Sequence, residues 1–96
     1  MHLTWFYLVA YSVDVVITVR YFAAARAAAG TDSHTVTLRT GTTVAELVKS
    51  LAGSGEPLAN VLNRCSYLRD GIAVRDETVA LSCGDTIDVL PPFAGG

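Results

Sequence analysis

The residues of this chain best suited to chemistry are its last six, Pro91-Pro92-Phe93-Ala94-Gly95-Gly96. The carboxylate of Gly96 has no side chain within two residues of it, so it can enter a narrow channel with backbone angles that other residues avoid. The prolines fix φ and lack the N–H group that a strand ladder requires, which stiffens the root of this tail. The pattern predicts a flexible tail over residues 91–96 that presents Gly96 to another protein.

The segment directly before the tail is predicted to be a strand. Gly84-Asp85 is typical of a turn, and the residues that follow, TIDVL, suit a strand. Alternation places Ile87 and Val89 on one face and Thr86, Asp88 and Leu90 on the other. A frayed chain end without function is the alternative for a short terminal segment. A tail held by a sheet at its base favours the functional interpretation.

Five strands and one main helix are predicted along the chain. The strands cover residues 15–22, 34–39, 66–69, 72–74 and 86–90. The helix begins at the capping-box pattern Thr43-x-x-Glu46 and buries one apolar stripe. A short helical turn or a loop is expected at 23–29, a short helical segment from Pro57, and a turn of helix at 79–81. The order predicts an α+β fold with a helix packed on one face of the sheet.

The end of the chain resembles a known family. The chain resembles the MoaD/ThiS family of ubiquitin-like sulfur carriers in the order of its last features: Gly-Asp, a short strand and a final Pro-Pro-x-x-Gly-Gly. Within it, the small subunits of molybdopterin synthase are the closest in pattern, and the resemblance covers roughly residues 15–96. It implies a β-grasp domain over residues 15–90, the tail at 91–96, and an N-terminal extension at 1–14.

The resemblance also implies a function as a carrier. An E1-like enzyme would use ATP to adenylate Gly96, and a sulfur nucleophile would convert the adenylate to a thiocarboxylate. The large subunit of molybdopterin synthase, in a heterotetramer, would then receive the tail and pass the sulfur to cyclic pyranopterin monophosphate. The sequence contains no P-loop and no G-x-S-x-G motif, so the chain is expected to be a co-substrate without a bound cofactor or metal.

Two apolar residues fall where alternation predicts contact with solvent. Phe22 shares its face with polar residues of the first strand, and Leu90 with polar residues of the last. A strand-end residue tucked under a loop is the ordinary explanation, whereas two such residues indicate an exposed patch for a partner. By the resemblance, Phe22 and Leu90, together with Ile72 or Val74, are the predicted contacts on the sheet face without a helix.

Composition indicates one small domain. The 96 residues are 51% hydrophobic and 17% charged, with a net charge of −2, which argues against nucleic-acid binding. Lys49 is the one lysine, so no Lys-rich stretch for a membrane surface exists. Cys65 and Cys83 are not in a zinc or C-x-x-C spacing. Reduced thiols in a cytoplasmic protein are therefore expected.

The first 13 residues, MHLTWFYLVAYSV, are apolar, rich in aromatic side chains and free of Lys and Arg. Leu3–Val13 is too short to span a bilayer as a helix. A secretory signal would need a positively charged start and a small-residue cleavage site. An extra strand, an oligomer contact and an upstream extension remain possible, and the extension is favoured because the family resemblance begins after it.

Proteins with other functions can end in the same kind of tail. Carriers for thiamine thiazole synthesis and for cysteine synthesis also end in Gly-Gly, and a ubiquitin-like protein modifier would join an activated Gly96 to a lysine. An interaction module with an inert tail is a different class altogether. Formation of a Gly96 adenylate separates carrier from inert module, and the sulfur acceptor separates the carriers from one another.

Overall fold

The computed structural model describes residues 14–92, which form a five-stranded sheet with helices on one face. The strands are β1 (Asp14–Tyr21), β2 (Ser33–Arg39), β3 (Ser66–Arg69), β4 (Ile72–Ala73) and β5 (Thr86–Leu90). The helices are α1 (Ala24–Ala29), α2 (Val44–Ala52) and α3 (Glu56–Leu62). The predicted α+β order is confirmed. Most of the predicted extension, residues 1–13, lies outside the described residues.

The sheet is mixed, with the strand order β2-β1-β5-β3-β4. β1 and β5 are parallel, whereas β1–β2, β3–β5 and β3–β4 are antiparallel. Parallel neighbours need a long crossover, and here it includes α2 and α3. The last strand therefore lies in the middle of the sheet and is hydrogen-bonded on both sides.

The core lies between the sheet and the helices. Alternate residues of β1 are buried, and Ile87 and Val89 of β5 are fully inaccessible to solvent. Burial of one such side chain stabilises the fold by about 1.5–3 kcal/mol. The remaining core side chains come from all three helices, β3 and the loop before β5: Ala25, Val44, Leu47, Leu51, Leu58, Leu62, Tyr67 and Leu81.

The predicted capping box of α2 is confirmed. The Glu46 backbone N–H donates to Thr43 Oγ1 at 3.2 Å, and the Thr43 backbone N–H donates to Glu46 Oε1 at 2.9 Å. Both bonds satisfy donors that a helix start leaves without partners. The apolar stripe that follows is buried at Leu47 and Leu51, as its spacing predicts.

The predicted turn at Asp70-Gly71 is also confirmed. Both residues have positive φ, 50° and 83°, as a two-residue hairpin between β3 and β4 requires. The predicted turn of helix at 79–81 is wrong. Ala80 instead forms an isolated antiparallel bridge with Thr43, and Leu81 is buried in the core. The backbone of Ala80 is paired with the start of α2, so it cannot also form the hydrogen bonds of a helical turn.

Within residues 14–92, no helix is long and apolar enough to cross a membrane.

Candidate functional site

The root of the tail leaves the centre of the sheet. Leu90 is paired with Ser66 of β3, and the Phe22 backbone N–H donates to the Val89 carbonyl at 3.2 Å. Pro91 is half-buried and Pro92 is exposed. Because proline cannot donate to a ladder, pairing ends where the two prolines begin. The four tail residues that follow, Phe93, Ala94, Gly95 and Gly96, lie outside the described residues.

The sheet face opposite the helices, which we call the open face, holds two of the predicted partner contacts. Phe22 is 38% exposed, and Leu90 is half-buried at the end of β5. Alternation correctly places both side chains on this face. Leu90 is less accessible than predicted because β5 is a central strand with neighbours on each side. Their role in partner binding stays a prediction.

The other two predicted contacts, Ile72 and Val74, do not belong to the open face. Across the β3–β4 hairpin it is Ala73 that pairs with Leu68, which in turn faces Asp88 of β5. Residues directly opposite in an antiparallel pair point to the same side of the sheet, and neighbours along a strand point to opposite sides. Ile72 and Val74 therefore point to the helix side, and grouping them with the open face was wrong.

The structure shows where these two residues lie instead. Ile72 is 73% exposed and, with Val74, lines a surface groove near the start of α2. Val74 also packs against the core. The assignment to the open face failed because a tight turn shifts parity by a residue, and sequence alternation alone does not determine that shift. A role of Ile72 or Val74 in partner binding stays a prediction.

An ion pair between neighbouring strands occupies the open face beside Phe22. Arg20 Nε lies 2.6 Å from Asp88 Oδ1, and Arg20 Nη2 lies 2.8 Å from Asp88 Oδ2. The Asp88 side chain is 7% exposed, whereas that of Arg20 is 51% exposed. The hydrogen bonds and the charge of Asp88 raise the pKa of Arg20 above its usual value. This bidentate geometry satisfies a buried carboxylate and holds the guanidinium in one orientation.

The same guanidinium contacts Phe22. Its central carbon lies 5.6 Å from the centre of the Phe22 ring, within the range of a cation–π interaction. We call Arg20, Phe22, Asp88 and Leu90 the open-face cluster. The sequence alone does not predict this ion pair, because its residues are 68 positions apart and the register of β1 against β5 cannot be read from either strand alone.

The open-face cluster suits binding rather than catalysis. It combines an exposed aromatic ring with a charged group of fixed orientation, as protein interfaces often do. Among residues 14–92, no cluster of three or more His, Cys, Asp or Glu side chains could hold a metal ion. The other buried carboxylate, Asp85, pairs with Arg69 at 2.7 Å and accepts a hydrogen bond from the Ser82 backbone, so its contacts are structural.

Both cysteines are free thiols. Cys65 is half-buried, and its thiol donates to the Val61 carbonyl with a sulfur–oxygen distance of 3.3 Å. Burial raises the pKa of the Cys65 thiol above its usual value. Because the thiolate is the nucleophilic form, this environment makes Cys65 a poor nucleophile at neutral pH.

Comparison with known proteins supports the predicted resemblance. A sequence model described as the ThiS family matches residues 19–96. The chain belongs to the ThiS family. The molybdopterin synthase sulfur carrier subunit of Chlamydomonas reinhardtii is 31% identical over 81 residues, which cover 83% of this chain and 98% of that protein. The chain is thus of the ThiS/MoaD sulfur-carrier type, as predicted.

Solved structures of similar fold include members of this group. One, from Pyrococcus furiosus, is called a putative molybdopterin converting factor subunit 1. It is 25% identical, has a TM-score of 0.74, and is matched over 82% of this chain and 99% of its own. Another is small archaeal modifier protein 1 from Methanosarcina acetivorans. It is 27% identical with a TM-score of 0.70, over 86% of this chain and 98% of its own. The predicted β-grasp fold is confirmed.

Proposed function

We propose that this ThiS-family chain is the sulfur-carrier subunit of a molybdopterin synthase and carries sulfur on the carboxyl group of Gly96. The observation that supports this most is the position of β5, whose end places Pro91, the first residue of the tail, at the middle of the sheet directly after Leu90 of the open-face cluster. The relative with the name of that subunit matches over almost its whole length. A carrier needs a rigid base from which its reactive carboxyl group is presented to partners.

The chemistry follows from the properties of a carboxylate. An α-carboxyl group has a pKa of about 3.5, so at neutral pH it is an anion and a poor electrophile. In the proposed first step, a Gly96 oxygen attacks the α-phosphorus of ATP and pyrophosphate leaves. Hydrosulfide then attacks the acyl carbon, the bond between that carbon and the AMP oxygen breaks, and AMP leaves. Loss of the remaining proton gives the thiocarboxylate, and no reductant is needed. The ThiS-family chain contributes the reacting carboxyl group, and its partners supply the catalytic groups.

Two partners are required by this scheme. An E1-like adenylating enzyme would bind the chain and load Gly96. The large subunit of molybdopterin synthase would accept the loaded tail in a heterotetramer and transfer its sulfur to cyclic pyranopterin monophosphate, one sulfur per carrier. Both would contact the open face, where Phe22 offers accessible apolar surface next to the tail root. Since each partner needs the same tail, the two complexes exclude one another.

Reconstitution tests the proposal. Untagged protein is mixed with ATP, a sulfur donor and an E1-like enzyme, and its intact mass and C-terminal peptide are measured. The expected result is replacement of one oxygen by sulfur, confined to the C-terminal peptide. The loaded protein with the large subunit should then convert cyclic pyranopterin monophosphate to a dithiolene product. A chain lacking Gly96 is the matched control, and equal loading of that chain would contradict the proposal.

A protein-modifier function is the second candidate, because the Methanosarcina relative of similar fold is named a modifier. It would use the same adenylate, but the amine of a lysine on another protein would displace AMP and form an isopeptide bond. Mass spectrometry of cell proteins for Gly-Gly remnants on lysine separates the two functions. Tests with acceptors from thiazole and cysteine synthesis separate the remaining carriers. Loading without sulfur transfer to the pterin would reject the molybdopterin assignment.

A further inference from the structure

Strand β2 forms one outer edge of the sheet, and β4 forms the other. β4 has two residues, whereas β2 has seven and pairs with β1 along its whole length without a bulge. Proteins usually protect a long edge strand with proline, lysine or a bulge, because its backbone groups can pair with another strand. β2, with the sequence SHTVTLR, has none of these protections. Within residues 14–92, no strand covers its outer side.

The pairing of β1 with β2 identifies the backbone groups that point outward from this edge. The Tyr21 backbone N–H donates to the Asp32 carbonyl at 2.8 Å, in continuation of the β1–β2 register. Hydrogen-bonded and non-hydrogen-bonded pairs alternate along an antiparallel ladder. The backbone groups of residues 34, 36 and 38 therefore also point to β1, and those of residues 33, 35, 37 and 39 point away from it.

Two of these four outward residues keep both backbone groups available. The Ser33 carbonyl accepts a hydrogen bond from a threonine hydroxyl in the preceding turn, and the Arg39 carbonyl accepts one from the backbone of the following turn. The N–H and carbonyl groups of Thr35 and Thr37 have no such partner among the described residues. The centre of the edge thus offers two donors and two acceptors to a further strand.

A groove on the helix side adjoins this edge. It has a volume of about 380 Å³, and its lining includes His34 and Val36 of β2 together with Leu51 and Leu58 from the helices. The Tyr21 hydroxyl, at 2.9 Å from His34 Nε2, forms part of the same wall. Because alternate residues of a strand point to one side, a strand added to β2 would place every second side chain over this groove.

The sequence of β2 itself fits this edge. If two copies pair antiparallel with Val36 opposite Val36 of the other copy, Thr35 lies opposite Thr37. The N–H and carbonyl groups of these two threonines then form four hydrogen bonds about a two-fold axis. The same register places Leu38 opposite His34. The side chains of Val36 and Leu38, both half-buried in one chain, then cover the groove of the other copy.

Other registers match the edge less well. A shift by two residues places Thr37 opposite Ser33 in one direction and Thr35 opposite Arg39 in the other. Both of those partners have a carbonyl group that already accepts a hydrogen bond. A shift by one residue opposes the outward groups of one copy to groups that point to β1 in the other.

We propose that this protein self-associates through the outer edge of β2, as a symmetric dimer with one continuous ten-stranded sheet. The two-fold axis is perpendicular to the sheet, so both open faces lie on the same side and neither is covered. The dimer does not depend on the proposed sulfur-carrier function, and failure of the sulfur-loading assay would leave it untouched.

Analytical ultracentrifugation and amide hydrogen exchange of the full chain test the proposal together. As the protein concentration rises, the average mass should increase from 10.1 kDa toward twice that value. Exchange of the Thr35 and Thr37 amides should slow over the same range, while that of the exposed Arg75 amide stays constant. A mass that remains at the monomer value would overturn the proposal. So would protection of both threonine amides at every concentration, because another part of the same chain would then cover the edge.

A charge at the two-fold axis should prevent the dimer. Val36→Lys brings two like charges directly opposite one another, so we expect the mass to remain at the monomer value. Val16→Lys is the matched control, because Val16 is an exposed valine on the open face of β1 and should still dimerise. Equal dimerisation of the two variants, with melting temperatures like that of the unchanged protein, would refute the assignment to β2.

Cross-linking tests the register even if the lysine variant fails to fold. Val36→Cys is introduced into a chain with Cys65→Ser and Cys83→Ser, and Val16→Cys in the same background is the control. Cα atoms of a non-hydrogen-bonded antiparallel pair lie about 4.5 Å apart, which is within the range of a disulfide. Oxidation should give a covalent dimer only with the cysteine at position 36. Equal cross-linking at both positions, or none at position 36, would reject the proposed register.

Discussion

The length of the tail should be essential for sulfur loading, because its base cannot move. β5 is paired with β1 on one side as far as Val89 and with β3 on the other side as far as Leu90. Deletion of Gly96 therefore withdraws the carboxyl group by the length of one residue, about 3.5 Å. Reacting atoms must approach within about 3–3.5 Å, and a 1 Å displacement can cost about 100-fold in rate. We expect at least a 100-fold loss of adenylation.

Sliding of β5 by one residue cannot restore the reach. Such a slip would move every side chain of the strand to the other face of the sheet. Ile87 and Val89, which are fully buried, would become exposed at a cost of about 3–6 kcal/mol together. Asp88 would also leave Arg20 and enter the core without a partner. The tail must therefore begin at a fixed point, the end of β5.

A length-restored chain makes the test specific. Three variants are compared with the unchanged protein: deletion of Gly96, addition of one glycine after Gly96, and deletion of Gly96 with a glycine inserted after Pro92. The third variant has the original number of tail residues. Adenylation is measured as pyrophosphate release in single turnover, and loading as the intact-mass increase from oxygen to sulfur. Melting temperature serves as the control for folding.

We expect the first two variants to melt normally and to fail in adenylation, and the third to recover much of the rate. Recovery would show that reach is limiting. If the shortened chain is adenylated as fast as the unchanged protein, the argument from a fixed strand is refuted. If all three fail equally, the identity of the last residues matters more than the length of the tail.

Three other changes test the remaining assignments. Truncation of Met1–Ser12 should leave melting temperature and sulfur loading unchanged, because β1 begins at Asp14; an unfolded product in circular dichroism would contradict this. Cys65→Ser with Cys83→Ser should still be loaded, and mass spectrometry that finds sulfur on the cysteines of the unchanged protein instead of Gly96 would reject the carrier chemistry. Phe22→Asp should weaken binding of the large subunit by about 2 kcal/mol or more and alter unfolding free energy by only about 0.5 kcal/mol, measured by calorimetry and denaturant titration. A large loss of stability would show that the Phe22 contacts are structural.

The local features of this protein could be predicted from its sequence. The Thr43-x-x-Glu46 pattern predicts the start of α2, because a capping box depends on residues three positions apart. Asp70-Gly71 predicts the β3–β4 hairpin, because few residues tolerate positive φ. Alternation along β1 predicts that Phe22 is exposed. The Gly-Gly end, after a strand and two prolines, was sufficient to indicate the family.

The tertiary structure decided how distant segments combine. The parallel register of β1 and β5 places Arg20 opposite Asp88. Two residues that alternation predicts to face solvent therefore form an ion pair beside Phe22. The register of the β3–β4 hairpin assigns Ile72 to the helix side of the sheet, which parity along the chain did not. The surface groove lined by Ala24, Val61, Arg64, Pro91 and Pro92 exists only because α1, α3 and the tail root converge. Sequence periodicity indicates on which side of its helix or strand a residue lies. Register and packing instead depend on contacts between residues far apart in the chain.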